Sequence, residues 1–286
     1  MLFDLSDRVK LRLTGADRVR FLNGQVTKDV RTANSNFSMP ACVVNAKGRL
    51  DAFVFISASD DAIYLDADAD LRPSLQPRLE RYLIADDVEI IDLSEQDALF
   101  HVTSETAPAL PNELKWRRAK RFGMTGWDLV ASANERDLIR QKLAAQTSLC
   151  DPVCAEQLRI EQGIPRWGRE LTNEIIPVEA NLADDAIDYA KGCYIGQEVI
   201  SRMKMSGQTN KRLCGLISIS GDALTAPMPL TTEHDPREVG VITGATRSSR
   251  LGKEIALGYV KRGHNDIGTR LLAGKTPVEV VPLPFL

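Results

Sequence analysis

Apolar and polar residues alternate from the start of the chain. Val9-Lys-Leu-Arg-Leu sends every second side chain to one face, the period of a half-buried strand. Gly15 to Gly24 reads as a short helix, with Gly24 placed to end it. Cys42-Val-Val-Asn, a turn at Lys47-Gly48 and Leu50-Asp-Ala-Phe-Val-Phe-Ile56 predict a hairpin, and Ala62-Ile-Tyr-Leu a further strand. Leu71, Leu75, Leu79 and Leu83 recur every four residues on one helix face, and Pro77 makes the start of that helix irregular. Residues 88–93, 99–102 and 127–130 read as strands of a second unit. A helix beginning at Asn134 carries Leu138, Ile139 and Leu143. Asp151-Pro152 opens the next one, an N-cap with proline at the first helical position, and Gly163 stops it.

Beyond about residue 207 the pattern changes. Residues 213–219, 239–243, 255–260 and 278–281 are short apolar runs between Gly, Pro and Asp turns, which predicts a small all-β barrel or sandwich. Ser206 to Asn210 is the expected linker. Strands mixed with helices, without strict alternation, point to an α+β fold.

Composition narrows the function classes. The chain has 286 residues, 43% hydrophobic and 26% charged, enough for two or three cores. Its net charge is −3 with no basic stripe, so direct nucleic-acid binding is not expected. No apolar run approaches a membrane span and the N-terminus lacks a signal pattern, so a cytoplasmic protein with no membrane partner is expected. Cys42, Cys150, Cys154, Cys193 and Cys214 are odd in number and scattered, which fits a reducing compartment. Cys150 and Cys154 have no second Cys/His pair nearby, and no metal site is expected.

Four places attract chemical attention. Cys193 follows Lys191 and Gly192 just ahead of an apparent helix start, where backbone N–H groups and the lysine favour a thiolate. A small buried hydrophobe is an equal reading of that cysteine. Glu161 lies in the last turn of its helix, against the dipole, and its carboxylate suits the two N–H donors of an amino-pyrimidine edge. A surface glutamate paired with Arg159 or Arg166 is the plainer reading. Asp51, among Leu50, Phe53 and Phe55, is either partly desolvated and poised for proton work or solvent-facing on an alternating strand. Arg121-Phe-Gly-Met-Thr-Gly126 is a close-approach loop or a plain hairpin turn.

These segments occur in a telling order. Gly15-x-Asp17, Phe21-Leu-Asn-Gly-Gln25-x-Thr27-x-Asp29, Lys47-Gly-Arg49, Arg121-x-Gly123-x-Thr125-Gly126, Arg159-Ile-Glu-Gln-Gly-Ile-Pro165, Glu179-Ala-Asn-Leu and Lys191-Gly-Cys-Tyr-Ile-Gly-Gln-Glu198 follow one another along the chain. The set resembles the YgfZ family of folate-binding proteins and, more distantly, the aminomethyltransferase (T-protein) of the glycine cleavage system. The resemblance implies a three-subdomain ring of the aminomethyltransferase type. Residues 1–206 would form two α+β subdomains and residues 207–286 a C-terminal β-barrel.

It also implies tetrahydrofolate or a derivative as cofactor. Glu161 would hold the pterin edge, Arg121, Gly123 and Thr125 would line the pocket, and Lys191 would meet the carboxylate tail. Tyr194, Gln197 and Arg202 belong to the same implied binding set. Cys193, and Asp51 if it is not a remnant, are the implied catalytic residues. The implied role is assembly or maintenance of iron–sulfur proteins, including enzymes that modify tRNA, with that machinery or its client enzymes as partners. An aminomethyltransferase of the glycine cleavage type and a non-catalytic folate scaffold are the alternatives. Against the T-protein pattern, the turn here is Lys-Gly-Arg and Asp51 is followed by Ala52.

Overall fold

The structure, a computed structural model, describes residues 1–109 and 115–286. It forms two compact units, one of residues 1–151 and 183–199, the other of residues 152–182 and 200–286. The division differs from the boundary at 206 that the change of pattern predicts. Segment 152–182 is pinned to the barrel: the Leu213 N–H donates to Glu179 O and Asn181 Nδ2 donates to Leu213 O, both at 2.8 Å. Such long-range hydrogen bonds, one from the backbone and one from a side chain, leave no trace in local periodicity.

The first unit contains β1 (Leu2–Asp4), β2 (Val9–Thr14), α1 (Arg18–Gln25), β3 (Phe37–Val44), β4 (Leu50–Ala58), β5 (Ile63–Ala67), α2 (Leu75–Glu80), β6 (Glu89–Asp92), β7 (Asp97–Thr103), β8 (Trp116–Ala119), β9 (Gly126–Ser132) and α3 (Arg136–Ala144). After α4 (Pro152–Glu161), which belongs to the second unit, α5 (Ala183–Ala186) returns to the first, and α6 (Gln197–Ser206) leaves it. Among the described residues the strands form a nine-stranded sheet in the order β1-β7-β9-β8-β3-β4-β5-β2-β6. Its two halves meet in a short parallel pairing of β3 with β8, Phe37 opposite Arg118 and Ser38 opposite Ala119.

Most expected elements are present, with instructive differences. Gly24 lies inside α1, which closes through the Val26 N–H to Leu22 O at 3.2 Å, so the glycine is not the stop. Gly48 does turn the hairpin, at φ 71°. Pro77 is the third residue of α2, where an N–H has no intrahelical acceptor to lose. The strand expected at 88–93 pairs with β2, Leu13 opposite Ile90, and not with the strands of a second unit. β1 and β8 are absent from the sequence reading. The first is three residues long, and the second is Trp-Arg-Arg-Ala, with too little alternation to register.

One core of the first unit lies under α3, where Ile139 and Leu143 meet Leu2, Phe100, Val102 and Leu129. In the second unit, β10 (Lys211–Ser218), β11 (Met228–Thr231), β12 (Gly240–Ser248), β13 (Lys253–Lys261), β14 (Arg270–Ala273) and β15 (Thr276–Val281) close a barrel in the order β10-β13-β12-β11-β14-β15. Leu216, Leu230, Ile242, Ala256, Val260 and Val278 fill it. The four-residue strands β11 and β14 are too short for sequence alternation to reveal. α4 packs on β12, and Gly244 makes room for it: a Cβ there would stand 3.0 Å from Arg159 Nη2 and Glu170 Oε1.

Gly126 is a comparably tight position in the first unit. A methyl group there would collide with the His101 ring and lie 2.8 Å from Val102 O. Gly126→Ala is expected to cost about 1–3 kcal/mol, read as a lower urea midpoint; an unchanged midpoint contradicts this packing.

Candidate functional site

Glu161 closes α4 and is 1% exposed. Its Oε1 accepts from Ser248 Oγ at 2.5 Å and from Gln157 Nε2 at 3.0 Å, and its main-chain oxygen accepts from the Phe285 N–H at 2.9 Å. The surface reading is thereby corrected. Arg159 pairs instead with Glu156 and Glu170, and Arg166 with Glu156. Two local donors offset the conflict with the helix dipole, and both bind one oxygen. Among the described residues, Oε2 makes no hydrogen bond. A buried carboxylate with one oxygen held and the other uncommitted is a fitting acceptor for a pterin's N–H edge.

The segment 191–196 is held on α1. Lys191 Nζ donates to Asn23 O, Val26 O and Lys28 O, each at 2.7 Å, and so satisfies carbonyls at and beyond the helix end. Burial pulls this lysine down to about 8, which leaves it charged at neutral pH. All three protons of the ammonium are engaged, so a folate carboxylate would have to displace a carbonyl to reach it. The Ile195 N–H adds a bond to Gly24 O at 3.1 Å. Gly196, at φ 80°, passes so close to Asn45 O in the β3–β4 turn that a side chain has no room. Tyr194 is buried beneath the lysine, its ring centroid 5.2 Å from Nζ, and its hydroxyl has no hydrogen-bond partner among the described residues.

Cys193 is left exposed by this arrangement. It lines a surface hollow of about 520 Å³ with Val19, Arg20, Asn23, Gly24 and Arg31. Both arginines already hold carboxylates, Arg20 that of Asp86 at 2.6 Å and Arg31 that of Asp29 at 2.7 Å. The thiol contrasts with the buried cysteines: burial pushes Cys42 up to about 12 and Cys214 up to about 11, which removes them from thiolate chemistry.

Asp51 is neither solvent-facing nor bare. Arg78 Nε donates to its Oδ2 at 2.5 Å and Asn45 Nδ2 lies 3.5 Å from Oδ1. The same guanidinium binds Gln25 Oε1 at 3.1 Å and Val44 O at 2.9 Å and stacks 4.5 Å from the Tyr82 ring. A carboxylate so fixed ties α2 to the hairpin, and its reach for a substrate proton is correspondingly small.

Arg121 is buried and bidentate twice over. Nε and Nη2 donate to Asp128 at 2.8 and 2.7 Å, and Nη1 and Nη2 to Asp66 at 2.9 and 2.7 Å, with the Phe55 ring 4.1 Å away. Arg8 also holds Asp66, at 2.6 Å, and His101 Nδ1 lies 2.8 Å from Asp128. Burial pushes both carboxyls upward, but Arg121, with Arg8 on Asp66 and His101 on Asp128, overrides it and holds them below the usual range. Burial lowers His101 despite Asp128. These bonds occupy four of the five N–H donors of Arg121, which leaves one Nη1 proton. Gly123, at φ 72°, and half-buried Thr125 form the turn that follows it.

Gln197 is half-buried at the start of α6, and Arg202 is exposed on that helix. The predicted residues therefore fall in both units. Cys193, Asp51, Lys191, Arg121, Gly123, Thr125, Tyr194 and Gln197 belong to the first, and Glu161 and Arg202 to the second. Sequence reasoning missed Ser248 and Gln157, which have no motif, and Arg78. It also missed Asp66 and Asp128, where a charge inside an apolar strand was the available signal. Among the described residues no cluster of three or more His, Cys, Asp or Glu is placed to hold a metal, and no helix is long and apolar enough to cross a membrane.

Two consequences are measurable. Arg121→Met leaves buried Asp66 with Arg8 alone and Asp128 with His101 alone, and is expected to cost about 3–5 kcal/mol at pH 7. His101, lowered from 6.5, favours unfolding as pH falls below that value. Asp66 and Asp128, lowered from 3.8, give stability present above 3.8 and lost as pH falls below it. Urea titrations at pH 7, 5 and 3 should show the wild type losing stability on both steps and Arg121→Met losing little on the second. Equal acid sensitivity in both contradicts the assignment. Lys191→Met, which unties 191–196 from α1, is expected to raise the rate of Cys193 labelling by a maleimide at least threefold.

With this geometry in place, the comparisons are informative. Residues 211–286 match the family described as the glycine cleavage T-protein C-terminal barrel domain. A putative chloroplastic transferase of Arabidopsis thaliana is 26% identical over 314 residues, covering 100% of this chain and 71% of the relative. The mitochondrial aminomethyltransferase of Mesembryanthemum crystallinum is 29% identical over 324 residues, covering 100% and 78%. The crystal structure of glycine cleavage system aminomethyltransferase T from Bartonella henselae superposes with a TM-score of 0.88 at 18% identity, over 100% of this chain and 86% of that one. These likenesses support a T-protein-like family, and the chain has the aminomethyltransferase T-protein fold with its C-terminal six-stranded barrel.

Proposed function

We propose that this protein binds tetrahydrofolate, or a derivative, and serves as an accessory factor for the assembly or maintenance of iron–sulfur proteins. The observation that carries folate binding is Glu161, buried at the end of α4 with Oε1 fixed by Ser248 and Gln157 and Oε2 uncommitted among the described residues. In the bound state Glu161 would accept the pterin's N–H donors, while the folate would supply a one-carbon carrier. This chain's own contribution is binding and orientation.

The exposed thiol of Cys193 and the Lys191–Glu198 motif support the iron–sulfur branch of the reading. One cysteine does not hold a four-iron cluster, which commonly takes four thiolates, so cluster contact requires ligands from a partner. The Arg78–Asp51 pair counts against aminomethyl transfer, because the carboxylate in the position expected to do the proton work is already engaged.

Cells lacking the native protein and supplied with Cys193→Ser should show iron–sulfur enzyme activities within about twofold of the empty vector; full rescue removes the thiol from the proposal. Purified wild type given an aminomethylated lipoyl carrier and tetrahydrofolate should release no stoichiometric ammonia. Stoichiometric release reinstates the aminomethyltransferase.

A further inference from the structure

A second cavity, of about 240 Å³, lies inside the first unit, lined from β2, β3, β4, β5, β7, β8 and β9. Three cations and three carboxylates reach its walls: Lys10, Arg117 and Arg121 against Asp66, Asp97 and Asp128. Most of this charge is already paired. Arg121 is spent on Asp66 and Asp128, and Lys10 Nζ donates to Ser6 O and Arg8 O at 2.8 Å.

Arg117 and Asp97 are different. Arg117 makes one side-chain hydrogen bond, Nη1 to Ser57 Oγ at 2.8 Å, with its guanidinium carbon 5.4 Å from the Tyr64 ring centroid. Among the described residues it has no carboxylate at ion-pair distance. Asp97 accepts no side-chain hydrogen bond there either, although both residues line the cavity. Burial disfavours the charge on each: it lowers Arg117 against the pull of Asp128, Tyr64, Asp66 and Asp97, and raises Asp97 against Lys10, Arg117 and Arg12. A half-buried guanidinium and a half-buried carboxylate that sense each other without pairing are costly to keep. Leu11, Leu93, Leu99 and Val130 supply an aliphatic wall beside them.

We propose that this cavity is a binding site for a small zwitterion of the α-amino-acid class. The carboxylate sits on the open donors of Arg117, the ammonium on Asp97, and a short aliphatic side chain lies against the leucine and valine wall. Such a guest satisfies both unpaired charges and adds no net charge to an already balanced lining. Arg117 suits the role because a planar guanidinium matches a carboxylate with two parallel hydrogen bonds. The site is separate from Glu161, which belongs to the other unit, and is independent of the folate reading.

Calorimetric titration of the full chain with glycine, alanine, valine and leucine tests it, alongside isovalerate, which lacks the ammonium, and isobutylamine, which lacks the carboxylate. At least one amino acid should bind, and both half-ligands should bind at least tenfold more weakly. Arg117→Gln and Asp97→Asn should each weaken the amino acid at least tenfold. Val130→Phe fills the cavity without altering charge and should abolish binding, which keeps the test decisive if Arg117→Gln does not fold. No heat and no thermal shift of the wild type with any amino acid overturns the proposal. So does isovalerate binding as tightly as valine, or binding that survives Val130→Phe.

Discussion

The first unit depends on one buried guanidinium. Arg121 joins Asp66 on β5 to Asp128 on β9, strands that stand four places apart in the sheet. In a flat sheet that separation is roughly 19 Å, far beyond the reach of one arginine fork. The sheet must therefore bend back so that its two halves face each other; among the described residues β3 and β8 are the strands that pair across them. Burying three charges is expensive, and geometry must repay it. Here Arg8 shares Asp66, His101 shares Asp128, and the Phe55 ring covers the guanidinium. The bend leaves the charged cavity beside the tie, so the same constraint that closes the unit creates an interior space with Arg117 and Asp97 on its walls.

A related economy governs the cysteine loop. Lys191 lends no charge to the surface. It spends its ammonium on carbonyls around the end of α1, and Gly196 presses the loop against the β3–β4 turn. The result is an anchored loop with one thiol facing outward. In the second unit, Ser248 at the end of β12 and Gln157 one turn earlier on α4 fix the Glu161 carboxylate. Precise placement of one oxygen leaves the other uncommitted among the described residues, an arrangement suited to binding more than to proton transfer.

Much of this was legible in the sequence. Strong periodicity located β2, the β3–β4 hairpin, α4 with its proline start and glycine stop, and the barrel's longer strands. Glu161 stood out because a carboxylate in a helix's last turn opposes the dipole, and Cys193 because it follows a lysine and a glycine just ahead of a helix start. β1, β8, β11 and β14, of three or four residues, were invisible, since alternation needs length, and Gly24 misled because a glycine near a helix end is not always its terminator. Segment 152–182 groups with the barrel unit, where α4 packs on β12 and Glu179 and Asn181 bond Leu213, contacts that no local pattern encodes. The sequence marks Arg121 only as part of a glycine-bearing loop; its aspartate partners lie 55 and 7 positions away, the first beyond any motif.

The most direct test of the account is equilibrium titration of tetrahydrofolate against wild type and Glu161→Gln, with folding checked by circular dichroism. Replacing the carboxylate by an amide keeps its shape and removes the charge that, on the proposed reading, would accept a pterin's donors. The account predicts saturable binding to wild type and affinity at least tenfold weaker in the variant. Equal affinity in the two proteins, or no binding to wild type at any accessible concentration, contradicts it.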